Sequence, residues 1–127
     1  MKKVVLLAAA TVMAVALVGG PIASAKDRDV VRRGRCSGRS DWKLKLSPEN
    51  GRIEVEFEVD QNKVGRRWRV VLKHDGVRFM RGIRRTHGPS GSFEVRRVAG
   101  NRRGPDRFFA TARNFRSGET CRGGATF

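Results

Sequence analysis

From Asp41 onward, apolar residues recur at every second position and no window of eleven residues shows a helical face, which confines the chain to β-structure. Trp42, Leu44 and Leu46 alternate with Lys43 and Lys45. After Pro48-Glu49-Asn50-Gly51, the residues Ile53, Val55, Phe57 and Val59 alternate with Glu54, Glu56 and Glu58. Asn-Gly between two such runs signals a hairpin. A two-residue turn there, or a four-residue loop from Pro48 to Gly51, puts both apolar sets on one face and sets Lys43 and Lys45 opposite glutamates. A slip of one residue would invert a whole strand. The glutamate row is therefore expected to form cross-strand ion pairs rather than an acid-catalysis or metal site.

The next strand, about Arg66 to His74, carries Trp68, Val70 and Leu72 on one face, and Asp75-Gly76 turns it into Val77 to Arg84. Pairing Leu72 with Phe79 also pairs Trp68 with Ile83 and puts Arg81 on the apolar side. Either a bulge intervenes or Arg81 lies at an open edge. On the polar face Arg67, Arg69, Lys73 and Arg78 gather, so this hairpin is basic where the first is balanced. Ser92 to Val98 reads as another strand, with Phe93 and Val95 inward. Arg107 to Asn114 and Thr120 to Phe127 form a last hairpin around Ser117-Gly118, which sets Phe108 opposite Phe127, Ala110 opposite Ala125 and Asn114 opposite Cys121. About seven short strands at ten-residue spacing predict an all-β fold: one small antiparallel sandwich, immunoglobulin-like in architecture, or a flattened barrel.

Ahead of this domain, Lys2 and Lys3, the apolar run Val4 to Val18 and the small residues Ala23-Ser24-Ala25 make a signal peptide over 1–25, cut between Ala25 and Lys26. The run is shorter than the ~20 apolar residues that span a bilayer, and no second one follows. Residues 26–35, charged and without periodicity, read as a flexible lead-in, and 36–127 as the secreted domain. Export makes Cys36 and Cys121 a disulfide in an oxidising compartment. The rival is a pair of free or intermolecular thiols.

Charge bears on function. Without Lys2 and Lys3 the 28 basic residues become 26 against 12 acidic ones, a net +14. That excess attracts polyanions such as envelope polymers or acidic proteins, or it serves solubility alone. Asp60-Gln61-Asn62-Lys63-Val64-Gly65 opens like a calcium loop, but Val64 and Val71 occupy ligand positions, so no metal is expected. His74 and His87 lack any accompanying nucleophile or zinc motif, so neither an enzyme nor a cofactor is expected. Of five arginine pairs, Arg84-Arg85 and Arg102-Arg103 flank the loops Thr86 to Gly91 and Ala99 to Asp106, and are candidates for phosphate or carboxylate recognition. The aromatics fall mainly on inward positions, which argues against a dedicated nucleic-acid function.

The stretches Cys36-Ser37-Gly38, Trp42-Lys43-Leu44-Lys45-Leu46 and Gly118-Glu119-Thr120-Cys121 resemble small secreted proteins of actinobacteria that carry no assigned function. The resemblance covers nearly all of the exported part. It implies export and a compact all-β domain with a cysteine pair, and it carries over no catalytic residue. The expectation is a secreted or envelope-associated, monomeric binding module that meets an anionic envelope polymer or an acidic secreted protein. The candidate contacts are Arg67, Arg69, Lys73, Arg78, Arg84, Arg85, Arg102 and Arg103. The alternatives are an inhibitor acting through the two Gly/Pro loops and, third, a small hydrolase.

Overall fold

A computed structural model describes residues 25–127. The expected signal peptide, 1–25, therefore lies outside the described residues, apart from Ala25 at the head of a short 3-10 turn, Ala25–Asp27. Eight strands follow: β1 (Val30–Arg35), β2 (Asp41–Glu49), β3 (Arg52–Asp60), β4 (Arg67–His74), β5 (Val77–Arg85), β6 (Ser92–Ala99), β7 (Arg107–Asn114) and β8 (Thr120–Thr126). They form two antiparallel four-stranded sheets, β1-β2-β3-β6 and β5-β4-β7-β8, a small sandwich. Chain crossings after β3, β5 and β6 place β6 beside β3 and β7 beside β4, so strands from distant parts of the sequence interlock.

The two short turns carry the hairpins as their residues dictate. Asn50 (φ 47°) and Gly51 (φ 76°), like Asp75 (φ 48°) and Gly76 (φ 81°), hold left-handed backbone at both central positions. That is the type I′ geometry whose twist matches paired strands. Glu49 accordingly pairs Arg52, and Lys43 and Lys45 stand opposite Glu58 and Glu56. The inner faces close on Leu44, Leu46, Ile53, Val55, Phe57 and Val59 from the first sheet and Trp68, Val70, Leu72, Phe108, Ala110 and Ala112 from the second, all buried. Each large side chain buried there contributes about 1.5–3 kcal/mol. The indole of Trp68 donates from Nε1 to Gln61 Oε1 at 2.9 Å, so its one polar atom is satisfied.

Two expectations are corrected, and one open alternative, the bulge in the β4–β5 hairpin, is decided. The lead-in is not loose throughout: Val30–Arg35 is β1, paired along its length with β2, which raises the strand number from seven to eight. It buries little beyond the edge of Val30 and the backbone of Gly34, and an edge strand held mainly by backbone bonds leaves no hydrophobic period to read. In the β4–β5 hairpin the register shifts after Lys73↔Arg78 to Leu72↔Met80, a bulge at Phe79. The bulge sends Met80 inward and turns Arg81 and Ile83 out. In the last hairpin Phe108 faces Ala125, Ala110 faces Gly123 and Ala112 faces Cys121, two residues from the expected register. The loop is tighter there because Asn114 Oδ1 accepts the N–H groups of Arg116 (2.9 Å) and Ser117 (3.0 Å). An even slip keeps every side chain on its expected face.

The two seams of the sandwich differ. On one, the indole of Trp42 lies between Gly34 of β1 and Gly123 of β8, where added Cβ atoms would stand 2.7 Å and 2.4 Å from the ring. The disulfide Cys36–Cys121 closes the same seam. It joins the β1–β2 connection to β8, unlike the central bridge of antibody domains. The open seam, β5 facing β6, has Arg84 and Arg97 at inward register positions beside Trp68 and Val55. Charges placed inward at an edge oppose pairing with a further strand.

Candidate functional site

The outer face of β5-β4-β7-β8 is built from alternate residues of four strands. β4 supplies Arg67, Arg69 and Lys73; across it β5 sets Arg85, Arg81 and Arg78; β7 adds Arg107 and Arg113, and β8 adds Arg122. These nine cations share the face with no carboxylate, and none of them forms an ion pair among the described residues. Strand geometry puts them about 7 Å apart along a strand and about 4.8 Å between strands. The outer face of β1-β2-β3-β6 is the opposite case, with six bases against seven carboxylates. There Arg96 Nη2 lies 2.6 Å from Glu54 Oε2 and Lys45 Nζ lies 4.0 Å from Glu56 Oε2. The Arg96 hydrogen bond holds the Glu54 carboxyl below its usual pKa, whereas partial burial, and then the neighbouring carboxylates, raise that of Glu56. Arg96 thus does more of the expected cross-strand pairing than the lysines do.

Two phenylalanines stand exposed on the cationic face, Phe109 at 43% and Phe115 at 45%. The guanidinium carbons of Arg67 and Arg69 lie 5.4 Å and 5.3 Å from the Phe115 ring centre, cation–π distances. Phe109 is flanked in register by Lys73 and by Gly124, whose missing side chain leaves the ring beside an open cleft of about 540 Å3. Arg32 of β1 and Arg107 also line that cleft. The expectation that aromatics sit inward thus fails at these two positions. The signal was present in Phe108-Phe109, since neighbours in a strand point to opposite faces and one of the pair must face out.

Of the sequence candidates, Arg67, Arg69, Lys73, Arg78 and Arg85 come together on this face. Arg84 does not: opposite Trp68 it takes the inward side of an edge, and its Nη1 donates to the Ile83 carbonyl at 2.9 Å. Arg102 and Arg103 lie in the loop at the far end of the strands. The loops 86–91 and 100–106 sit at opposite ends of the sandwich, because one follows the end of β5 and the other follows the end of β6, which runs from the first end to the second. A strand of eight residues separates them by roughly 25 Å.

The loop 100–106 is held by a buried carboxylate. Asp106 is fully buried. Its Oδ2 accepts from Lys26 Nζ at 2.8 Å, and its Oδ1 accepts from His74 Nε2 at 2.7 Å and from the Arg102 backbone N–H at 3.2 Å. An ionised carboxylate only accepts, so Nε2 of His74 carries the proton. The imidazole stacks on Phe108 with ring centres 4.3 Å apart. Burial pushes the Asp106 pKa up, but the hydrogen bonds from Lys26, His74 and Arg102 outweigh it and hold the carboxyl below its usual range. His74, Asp75 and Asp106 bring possible metal-ligand atoms within 4.8 Å of one another. Both carboxylates already face cations: the Lys26 ammonium, held also by Asn101 Oδ1 at 2.7 Å and the Arg102 carbonyl at 2.6 Å, is on Asp106, and Arg102 Nη1 lies 3.4 Å from Asp75 Oδ2. The cluster reads as an anchor that ties the start of the domain to its last long loop.

At the turn 61–66, Asp60 Oδ1 accepts the Asn62 N–H at 3.1 Å, the turn-forming role that competes with ligand duty. Comparison with known proteins gave no match, whether to family models, to curated proteins or to solved structures.

Proposed function

We propose that this protein is a secreted, non-enzymatic binding module that holds an anionic polymer against the outer face of β5-β4-β7-β8. One observation carries the reading: nine unpaired cations and no carboxylate on one sheet face, against a balanced opposite face. Charge kept only for solubility has no reason to be segregated. A cationic grid of this kind raises the local concentration of a polyanion and accepts it in several registers. Export is supported by the disulfide, and no helix among the described residues is long and apolar enough to cross a membrane. The two Gly/Pro loops, at opposite ends, are poorly placed to act together on one partner, which disfavours the inhibitor reading.

The test is retention of the oxidised protein on cell envelope across a salt series, with two triple variants of equal charge change. Arg69→Glu/Arg81→Glu/Arg113→Glu alters the cationic face, and Arg33→Glu/Lys43→Glu/Arg52→Glu alters the other. Retention should fall steeply with salt and be lost in the first variant only. Equal loss in both would reduce the effect to net charge, and no retention at low salt would refute the reading.

A further inference from the structure

Exposed aromatic rings are the feature a purely electrostatic surface does not need. Phe109 stands open above the bare backbone of Gly124 and beside Lys73. Phe115, past the other end of the same strand, is bracketed by two guanidinium groups. Six residues of extended chain separate the two phenylalanines, about 20 Å, and the cations of β4, β5 and β8 run alongside.

We infer that the polymer held on this face is single-stranded nucleic acid, with bases stacked on Phe109 and on the Arg67–Phe115–Arg69 group, and with phosphates on the flanking arginines. The inference rests on the polyanion reading above and narrows it to one chemistry. Eight of the nine cations are arginine, whose planar fork fits two phosphate oxygens at once and whose face also stacks on rings. Sequence-tolerant single-strand binders combine this kind of charged track with aromatic platforms. A duplex keeps its bases stacked and has none to offer Phe109, and a polyphosphate chain has no ring at all. The cleft of about 540 Å3 beside Phe109 has room for a base and its sugar, and Arg32, Lys73 and Arg107 are at hand for the attached phosphate.

Binding is measured with the oxidised protein and four probes of matched charge at one salt concentration: labelled oligo-dT, a short DNA duplex, polyphosphate and polygalacturonate. Phe109→Leu is compared with the wild type, because leucine keeps the apolar volume and removes the π-face; a melting curve checks its fold. Oligo-dT is expected to bind at least tenfold more tightly than the other three probes. Phe109→Leu should weaken oligo-dT at least fivefold, the lower end of one lost base stack, and leave polyphosphate unchanged. Equal affinities, with Phe109→Leu inert on all probes, overturn the inference and leave the polyanion reading standing. Tightest binding to polygalacturonate also overturns it, in favour of an anionic glycan. No binding to any probe at low salt removes both readings.

Discussion

At the scale of single residues, two sites carry more than their sequence neighbourhood suggests. Gly123 looks like an ordinary strand glycine, yet a methyl group there would meet the Trp42 ring at 2.4 Å, in a slot whose other wall is Gly34. Gly123→Ala should therefore destabilise the fold by about 1–3 kcal/mol through overpacking. The same change at Gly124, where the nearest atoms lie at 3.6 Å, should be nearly neutral. Paired denaturant curves check the contrast. Asp106 offers a second test. Its folded pKa lies below the unfolded value near 3.9. Its stabilising contribution is therefore complete at neutral pH and is lost as pH falls below about 4 and through the folded pKa. Asp106→Asn should cost about 1.5–3 kcal/mol at pH 7, the value of hydrogen bonds to a charged group. The gap to wild type should close as melting is repeated from pH 5 down to pH 2.

Among the elements, β1 is the one that depends on its neighbours rather than on its own composition. Its six residues bury little, so it is kept by the ladder to β2 and by its end, where Cys36 is bridged to β8. Around the bridge, Ser37 N bonds to the Thr120 carbonyl and the Ser40 hydroxyl donates to Glu119 Oε1 at 2.8 Å. Opening a loop of this size removes about 4–5 kcal/mol in the chain-entropy model. The reduced protein should accordingly lose much of its stability. Amide exchange should rise first in 30–35 and 120–126, ahead of β3 and β4 at the centres of the two sheets. Uniform acceleration would mean that the bridge supports the whole fold equally.

For the molecule as a whole, the segregation of charge is the dominant property. Nine like charges on one face repel each other in the folded state, and nothing on that face offsets them. Polyvalent anions should therefore raise the melting temperature well beyond the effect of sodium chloride at equal ionic strength. The rise should be smaller in the Arg69→Glu/Arg81→Glu/Arg113→Glu variant, as thermal melts in polyphosphate can read. An equal rise in both proteins would locate the anion site elsewhere.

The strands with a buried face, the hairpins at Asn50-Gly51 and Asp75-Gly76, the expectation of a Cys36–Cys121 bridge and the basic character of β4–β5 were legible in the sequence alone. All of these follow from local periodicity, turn chemistry and cysteine number. The sequence could not show β1, because an edge strand that buries so little leaves no pattern. It could not choose between a bulge and an open-edge Arg81, because packing of Met80 beneath Leu72 decides that. The cationic face was legible only as the four residues Arg67, Arg69, Lys73 and Arg78. Tertiary structure made it nine: the bulge in β5 turned Arg81 and Arg85 onto the face, and β7 beside β4 with β8 beyond it added Arg107, Arg113 and Arg122, through a β4–β7 pairing that no local window contains. The bulge in β5 also turned Arg84 inward, opposite Trp68, and the register of β7 on β4 put Phe109 beside Lys73 in the open. Strand neighbours far apart in sequence are chosen by the fit of the whole core, and that choice decides which charges and rings share a surface.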